Sequence, residues 1–237
     1  MALAAAQSSA NHRTCTIELA GEELVADPEG VLWWPQEKLL VVSDLHLEKG
    51  SSFARKGRML PPYDTVKTLN RLEAAIQEWN PKRVVALGDS FHDREASARL
   101  PLPAKQQLAG MIADRDWIWI LGNHDPEPPR DLGGISTAEL AIGCITFRHE
   151  PRVYAAGGEI AGHLHPKARL VKQGRAVRRP CFAVNDQRII MPSFGAYTGG
   201  LNVLDRAFCG LFTKRDFHVL MMGDRQIYRI GADLLRA

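Results

Sequence analysis

The sequence predicts an α/β domain with parallel central strands, and three observations lead there. Short apolar, β-branched runs alternate with helical periodicity through the first half of the chain. Each run ends in a polar cluster rich in Asp, His or Asn. In the second half the pattern changes to short strand-like runs separated by Gly-rich turns.

Residues 1–13 start Met-Ala-Leu-Ala-Ala-Ala and turn polar at Gln7. With no basic start and so short an apolar stretch, this reads as a loose tail rather than a signal peptide, leaving 14–237 as one domain. The runs Leu39-Leu40-Val41-Val42, Arg83-Val84-Val85-Ala86-Leu87 and Trp117-Ile118-Trp119-Ile120-Leu121 do not alternate with polar residues. Unalternating runs of this length predict strands buried on both faces. Between the first two, Val66, Leu69, Leu72, Ile76 and Trp79 recur at helical steps. Asp64 is placed to cap that helix and Asn80-Pro81 to stop it. A weaker helical pattern covers Ala104 to Ala113 through Leu108, Met111 and Ile112. Later strands are predicted at Cys144–Phe147, Glu159–Ala161, Cys181–Val184, Arg188–Met191 and Gln226–Tyr228. Tyr197, with Gly195, Gly199 and Gly200, reads as a tight hairpin, the alternative being a turn near the candidate site.

Of the 237 residues 45% are apolar and 24% charged, an ordinary globular composition. No apolar run approaches the ~18 residues of a membrane span. Cys15, Cys144, Cys181 and Cys209 form no C-x-x-C pair and no even framework, which argues against thiolate zinc and disulfide stapling and favours a reducing cytoplasm. The net charge of +3 identifies no polyanion binder by itself. Its distribution says more: Lys49, Arg55, Lys56 and Arg58 fall in one predicted loop, and Lys167, Arg169, Lys172, Arg175, Arg178 and Arg179 follow one another with no acid between them. Such runs are commonly solvated faces; the functional alternative is contact with phosphates, centred on Arg55, Lys56, Arg58, Arg175, Arg178 and Arg179.

The polar clusters are Ser43-Asp44-Leu45-His46, Gly88-Asp89-Ser90-Phe91-His92-Asp93, Gly122-Asn123-His124-Asp125, Arg148-His149-Glu150 and Gly162-His163-Leu164-His165. They hold six of the eight histidines, and each lies at or just past a predicted strand end, where α/β sheets place their ligand sites. Carboxylate, amide oxygen and imidazole without thiolate suit Mn²⁺, Fe or Zn²⁺. On an extended segment the first and third side chains of Asp-x-His point the same way, so Asp44 with His46, and likewise His163 with His165, can grip one ion. Asp89 has two carboxylate oxygens and can bridge two ions roughly 3.5–4 Å apart, with Asn123 and His149 completing the second.

This ordered set resembles the calcineurin-like metallophosphoesterase superfamily, whose pattern is D-x-H, G-D-x-x-D/H, G-N-H-D/E, H and G-H-x-H. The resemblance implies a two-layered β-sandwich flanked by helices. It implies that Asp44, His46, Asp89 and His165 bind one metal ion and that Asp89, Asn123, His149 and His163 bind the other. A narrower resemblance is carried by Asp44–Arg55, Leu60–Thr65, Leu87–Asp93 and Met191–Leu201, over about Leu32 to Val203. That run is similar to the ligase-associated DNA damage response endonuclease family, PdeM. It implies a bacterial Mn²⁺-dependent phosphodiesterase or nuclease, acting with a DNA ligase and a helicase.

His124 directly follows Asn123 and reads as general acid to the leaving oxygen, with Asp125 orienting its imidazole. His92 and Asp93 lie just behind Asp89, suited to holding the ligands or touching substrate. Competing functions are a small-molecule phosphodiesterase or nucleotide pyrophosphatase of the same superfamily, and a repair scaffold with a relic site.

Overall fold

The computed structural model describes residues 13–127, 131–213 and 216–237. The predicted tail therefore lies outside the described residues, except for Arg13. That residue is tied down: its guanidinium reaches Asp27 at 3.3 Å and its carbonyl accepts from the Ile227 N–H at 3.1 Å.

The first sheet contains β1 (Cys15–Leu19), β2 (Glu22–Ala26), β3 (Leu32–Trp34), β4 (Leu39–Val42), β5 (Arg83–Leu87), β6 (Asp116–Ile120) and β7 (Ile135–Thr137). They pair in chain order, antiparallel from β1 to β4 and parallel from β4 to β7. The second sheet contains β8 (Glu139–Ile142), β9 (Ile145–Arg148), β10 (Gly158–Ala161), β11 (Lys167–Lys172), β12 (Arg175–Val184), β13 (Arg188–Ile190), β14 (His218–Met222) and β15 (Ile227–Gly231). Its order is β15-β14-β12-β13-β10-β9-β8, with β11 attached to β12. Strands β9, β10 and β13 are parallel to one another.

The two sheets form a sandwich around one apolar layer. Leu39 and Val41 of β4, Val85 and Leu87 of β5, and Ile118 and Ile120 of β6 meet Phe147, Ile160, Phe182, Ile189 and Leu220 of the second sheet. The alternate residues, Leu40, Val42, Val84, Ala86, Trp117 and Trp119, face outward and are covered by helices. This double burial is why the central runs do not alternate, and each side chain so buried contributes roughly 1.5–3 kcal/mol.

Among the described residues the α-helices all fall between β4 and β6: α1 (Lys49–Arg55), α2 (Asp64–Trp79), α3 (Ala96–Arg99) and α4 (Leu102–Ala113). They flank the first sheet only. Ala161, Ala183, Ile190 and Val219 on the outer face of the second sheet are covered instead by Val203, Phe208, Leu211, Phe217 and Leu235 from irregular segments and a 3-10 turn.

Several expectations need correcting. The basic cluster read as a loop begins as α1, with Lys56 and Arg58 exposed just after it. Asp64 does not cap its own helix; its Oδ2 accepts from the Gly50 N–H at 3.0 Å, satisfying the start of α1. Val66 is 51% exposed, because the buried stripe of α2 opens with Thr65 and Thr68. The run at 167–179 is a hairpin whose two-residue turn, Gln173-Gly174, has positive φ at both positions. The Gly195–Gly200 stretch is no hairpin turn. It packs behind β4's end, where the Phe194 and Gly195 N–H groups donate to Ser43 O at 2.7 Å and Asp44 O at 3.1 Å.

Candidate metal centre

Parallel strands of both sheets deliver their carboxyl ends to one place. Asp44 and His46 follow β4, Asp89 follows β5, Asn123 follows β6, His149 follows β9, and His163 and His165 follow β10. These turns are tightly cross-tied. Asp89 O accepts from the His46 N–H and Ser90 O from the Leu47 N–H, both at 2.9 Å. Asp89 Oδ1 accepts from the His124 N–H at 2.8 Å, and Asp44 Oδ2 from the His163 N–H at 3.1 Å. Gly122 sits where a Cβ would overlap the Asp89 backbone nitrogen, so only glycine lets the turns after β5 and β6 meet this closely.

The Asp-x-His segments are not extended. Asp44, His46, Asp89, His163 and His165 have φ of 53°, 44°, 45°, 69° and 45°, in the left-handed region that non-glycine residues rarely adopt. The side chains converge because the backbone is bent at each of them, held there by the cross-ties above. Such conformations concentrate at functional sites, where surrounding structure over-determines them.

Two ligand groups result. Asp44, His46 and His165 form one, with His165 Nε2 at 3.1 Å from Asp44 Oδ1 and 3.4 Å from His46 Nε2. Asp89, His149 and His163 form the other, with His149 Nε2 at 3.4 Å from Asp89 Oδ2 and 3.1 Å from His163 Nδ1. Asn123 joins the second group, its Oδ1 at 2.9 Å from His149 Nε2. The Leu87 carbonyl accepts from His149 Nδ1–H at 2.9 Å, which leaves the Nε2 lone pair for the cluster. In the neutral form that ligates metal, these imidazoles turn lone pairs toward one another beside carboxylates, and a cation between them removes the conflict. The donor set of carboxylate, imidazole and amide oxygen therefore fits divalent metal.

The electrostatics agree with that fit. Burial works to raise the Asp44 and Asp89 carboxyls, but His165 beside the first and His149 beside the second hold both below the ordinary carboxylate value. Burial drives His46 down to about 3, keeping it neutral as a ligand must be. His149 is held up at about 9: burial opposes this, but the hydrogen bond to Asp89 and the charges of Asp44 and Asp89 overcome it. Metal binding has to displace that proton.

His124 is exposed at the rim, with Nε2 at 4.0 Å from Asp89 Oδ2. Its ring is oriented by the His92 carbonyl, which accepts from Nδ1–H at 2.8 Å, and not by Asp125. Asp125 turns inward instead, where its Oδ2 accepts from the Phe91 N–H at 3.0 Å and burial pushes its carboxyl up to about 7. His92 stacks on His124 with ring centroids 5.3 Å apart, and its Nδ1 lies 3.4 Å from His46 Nδ1. Asp93 points away, gripped by Arg99 through bonds of 2.9 and 2.7 Å. Arg55, of the predicted phosphate contacts, pairs with Glu95, and with Lys56 it lines a groove of about 440 Å³. Strand alternation separates the three on the hairpin: Arg175 and Arg179 line a groove of about 530 Å³ with Tyr228, while Arg178 is on the opposite face.

A buried ion network, not anticipated from the sequence, supports the His149 turn. Glu159 and Arg188 are opposite each other on β10 and β13, 0% and 1% exposed. Glu159 Oε1 accepts from Arg148 at 3.2 Å and from the Arg152 N–H at 3.0 Å, and Arg188 donates to Arg152 O at 2.9 Å. Arg188→Ala leaves Glu159 buried beside a single cation and is expected to destabilise the fold by about 3–5 kcal/mol. Chemical denaturation measures this; a loss below about 1 kcal/mol would mean the network is not needed for stability.

A two-sheet sandwich with this cluster at its strand ends defines a metal-dependent phosphoesterase. The model of the calcineurin-like phosphoesterase family matches residues 37–178, and the chain belongs to that family. Among solved structures it is similar to the Pseudomonas putida nuclease MPE, with 27% identity and a TM-score of 0.72 over 92% of this chain and 100% of that one. That span extends well past the family match, in agreement with the narrower resemblance read from Leu32 to Val203. The phosphoesterase Yfce from E. coli is more distant, with 13% identity and a TM-score of 0.42 over 82% of this chain and 98% of that one. No curated protein sequence matches the chain. No helix among the described residues is long and apolar enough to cross a membrane.

Proposed function

We propose that the chain is a two-metal phosphodiesterase that cleaves nucleic-acid strands, with manganese as its working ion. The observation that carries this reading is the position of Asp89, whose Oδ2 lies 3.9 Å from His46 Nε2 in one ligand group and 3.4 Å from His149 Nε2 in the other. Asp44, His46, Asp89 and His165 would hold one ion, and Asp89, Asn123, His149 and His163 the second. When bound, such a pair supplies Lewis acidity to phosphate oxygens and acidifies water. His124 supplies the proton for the leaving oxygen. The His92 carbonyl engages Nδ1–H, so Nε2 is the nitrogen that faces the centre, and the imidazolium form of the ring would deliver its Nε2 proton. His92 stacks on that ring and restrains it. Nucleic acid as the substrate is supported by likeness to the Pseudomonas putida nuclease over 92% of this chain.

The test compares manganese-loaded enzyme on an activated aryl phosphodiester, the matching monoester and single-stranded oligonucleotides, with bound metal measured alongside. Turnover of the diester above the monoester, cleavage within the strand and about two ions per chain are expected. Preference for the monoester, or intact oligonucleotide after prolonged incubation, would overturn the reading. Chelator-stripped enzyme should regain activity better with Mn²⁺ than with Zn²⁺ or Mg²⁺.

A further inference from the structure

Several cations around the centre already have an acid partner. Arg55 pairs with Glu95, Arg99 with Asp93, and both Arg148 and Arg152 with Glu139. Lys49, Lys167 and Arg178 form no ion pair among the described residues. The acid that Lys49 feels, Asp64, is already engaged by the Gly50 N–H.

These three lie along one flank of the centre, beside His46 and His165. Lys49 opens α1, just after the Asp44–Glu48 turn, with Nζ 5.9 Å from the Phe53 ring. That ring is 5.7 Å from His92, which in turn touches His46. Lys167 follows His165 by two residues at the start of β11. The register pairs Arg169 with Arg178, so strand alternation puts Lys167 and Arg178 on the same face of the hairpin. Arg178 donates to Gly200 O at 2.8 Å. A Cβ on Gly200 would overlap the His165 carbonyl oxygen and lie 2.9 Å from Lys167 Cε, so this backbone, both cations and His165 are in direct proximity.

Both lysines are half-buried, and each feels another cation: Lys49 feels Lys167, and Lys167 feels Arg178. Cations withdrawn from water beside like charge and without a counter-ion are unfavourable in the free protein, and a bound anion relieves that cost.

We propose that Lys49, Lys167 and Arg178 form a subsite for the phosphate adjacent to the scissile one in a nucleic-acid strand. The inference rests on the phosphodiesterase reading and deepens it. A small diester has one phosphate, which stays at the ligand cluster; only a strand brings a second to this flank.

The experiment uses manganese-loaded protein, wild type against Lys49→Gln, Lys167→Gln, Arg178→Gln and the triple variant. Binding of a hydrolysis-resistant phosphorothioate oligothymidylate is followed by fluorescence anisotropy across a salt series. Loss of this one phosphate contact in the triple variant should flatten the slope of log affinity against log salt by about 0.7, and each single variant should give part of that change. Loss of kcat/KM should be at least about ten-fold larger on an oligonucleotide than on the aryl diester. Lys167→Arg should restore both readouts, which separates a lost charge from a damaged fold. An unchanged slope in the triple variant, or equal proportional losses on the two substrates, would overturn the subsite. If the wild type hydrolyses no diester but the triple variant still flattens the slope, the subsite stands and the proposed function falls.

Discussion

Asp89→Ala is expected to abolish turnover and take bound metal from about two ions per chain toward one or none. The carboxylate does three things at once. It reaches both ligand groups, its Oδ1 holds the His124 N–H at 2.8 Å, and its charge sustains the proton on His149 until metal arrives. Losing a shared ligand should remove several kcal/mol of transition-state stabilisation, which means at least about 10³-fold in rate. Asp89→Asn separates these effects. It keeps an oxygen for the His124 N–H, and so the turn, but loses the negative charge and the second oxygen acceptor. Its fold should remain near wild type while metal occupancy and rate fall almost as far as in Asp89→Ala. Metal analysis by mass spectrometry and diester hydrolysis read both variants; two tightly bound ions with wild-type rate in Asp89→Ala would refute the bridge.

The centre was legible in the sequence for a physical reason. β4, β5 and β6 are buried on both faces, so their apolar runs stand out, and the polar residues that follow must lie at the sheet's carboxyl edge. What stayed hidden was the backbone. The Asp44–His46 and His163–His165 pairs read as extended, whereas their convergence comes from left-handed residues stabilised by bonds to turns distant in sequence. Ion pairing was equally invisible: Arg55 meets Glu95 and Glu159 meets Arg188 across separate elements, and spacing carries no trace of either.

Short elements escaped for other reasons. The β1–β2 hairpin alternates correctly, with Ile17, Leu19, Leu24 and Ala26 inward, but turns on Ala20-Gly21 instead of an Asn-Gly or Asp-Gly signal. In β11 and β12 the basic residues occupy both faces and mask the period of two. In α2, Thr65 and Thr68 occupy buried positions that helical periodicity assigns to apolar residues. Thr65 bonds Glu48 at 2.9 Å, and Thr68 accepts from the Ala196 N–H at 3.0 Å. They tie the helix to the turns behind the centre, a role that hydropathy cannot report.

His124→Ala should leave both ions in place yet slow hydrolysis by roughly 10²–10⁴-fold on esters with poor leaving groups. None of the ligand groups includes His124, and its side chain is exposed, so its removal opens no hole in the core. An aryl leaving group of low pKa departs with little help, and the loss there should be much smaller. The ratio of the two losses is the diagnostic, because impaired phosphate binding would reduce both alike. His92→Ala is the control. The carbonyl that orients His124 belongs to the backbone and survives, while the stacking and the contacts with His46 and Phe53 are lost. Its rate loss should be well below that of His124→Ala, with the same preference for good leaving groups in weaker form. Rates on a graded series of aryl diesters give the dependence on leaving-group pKa for each variant. It should steepen sharply in His124→Ala. An unaltered slope would show that His124 positions the phosphate and donates no proton, and the proton would then have to come from solvent.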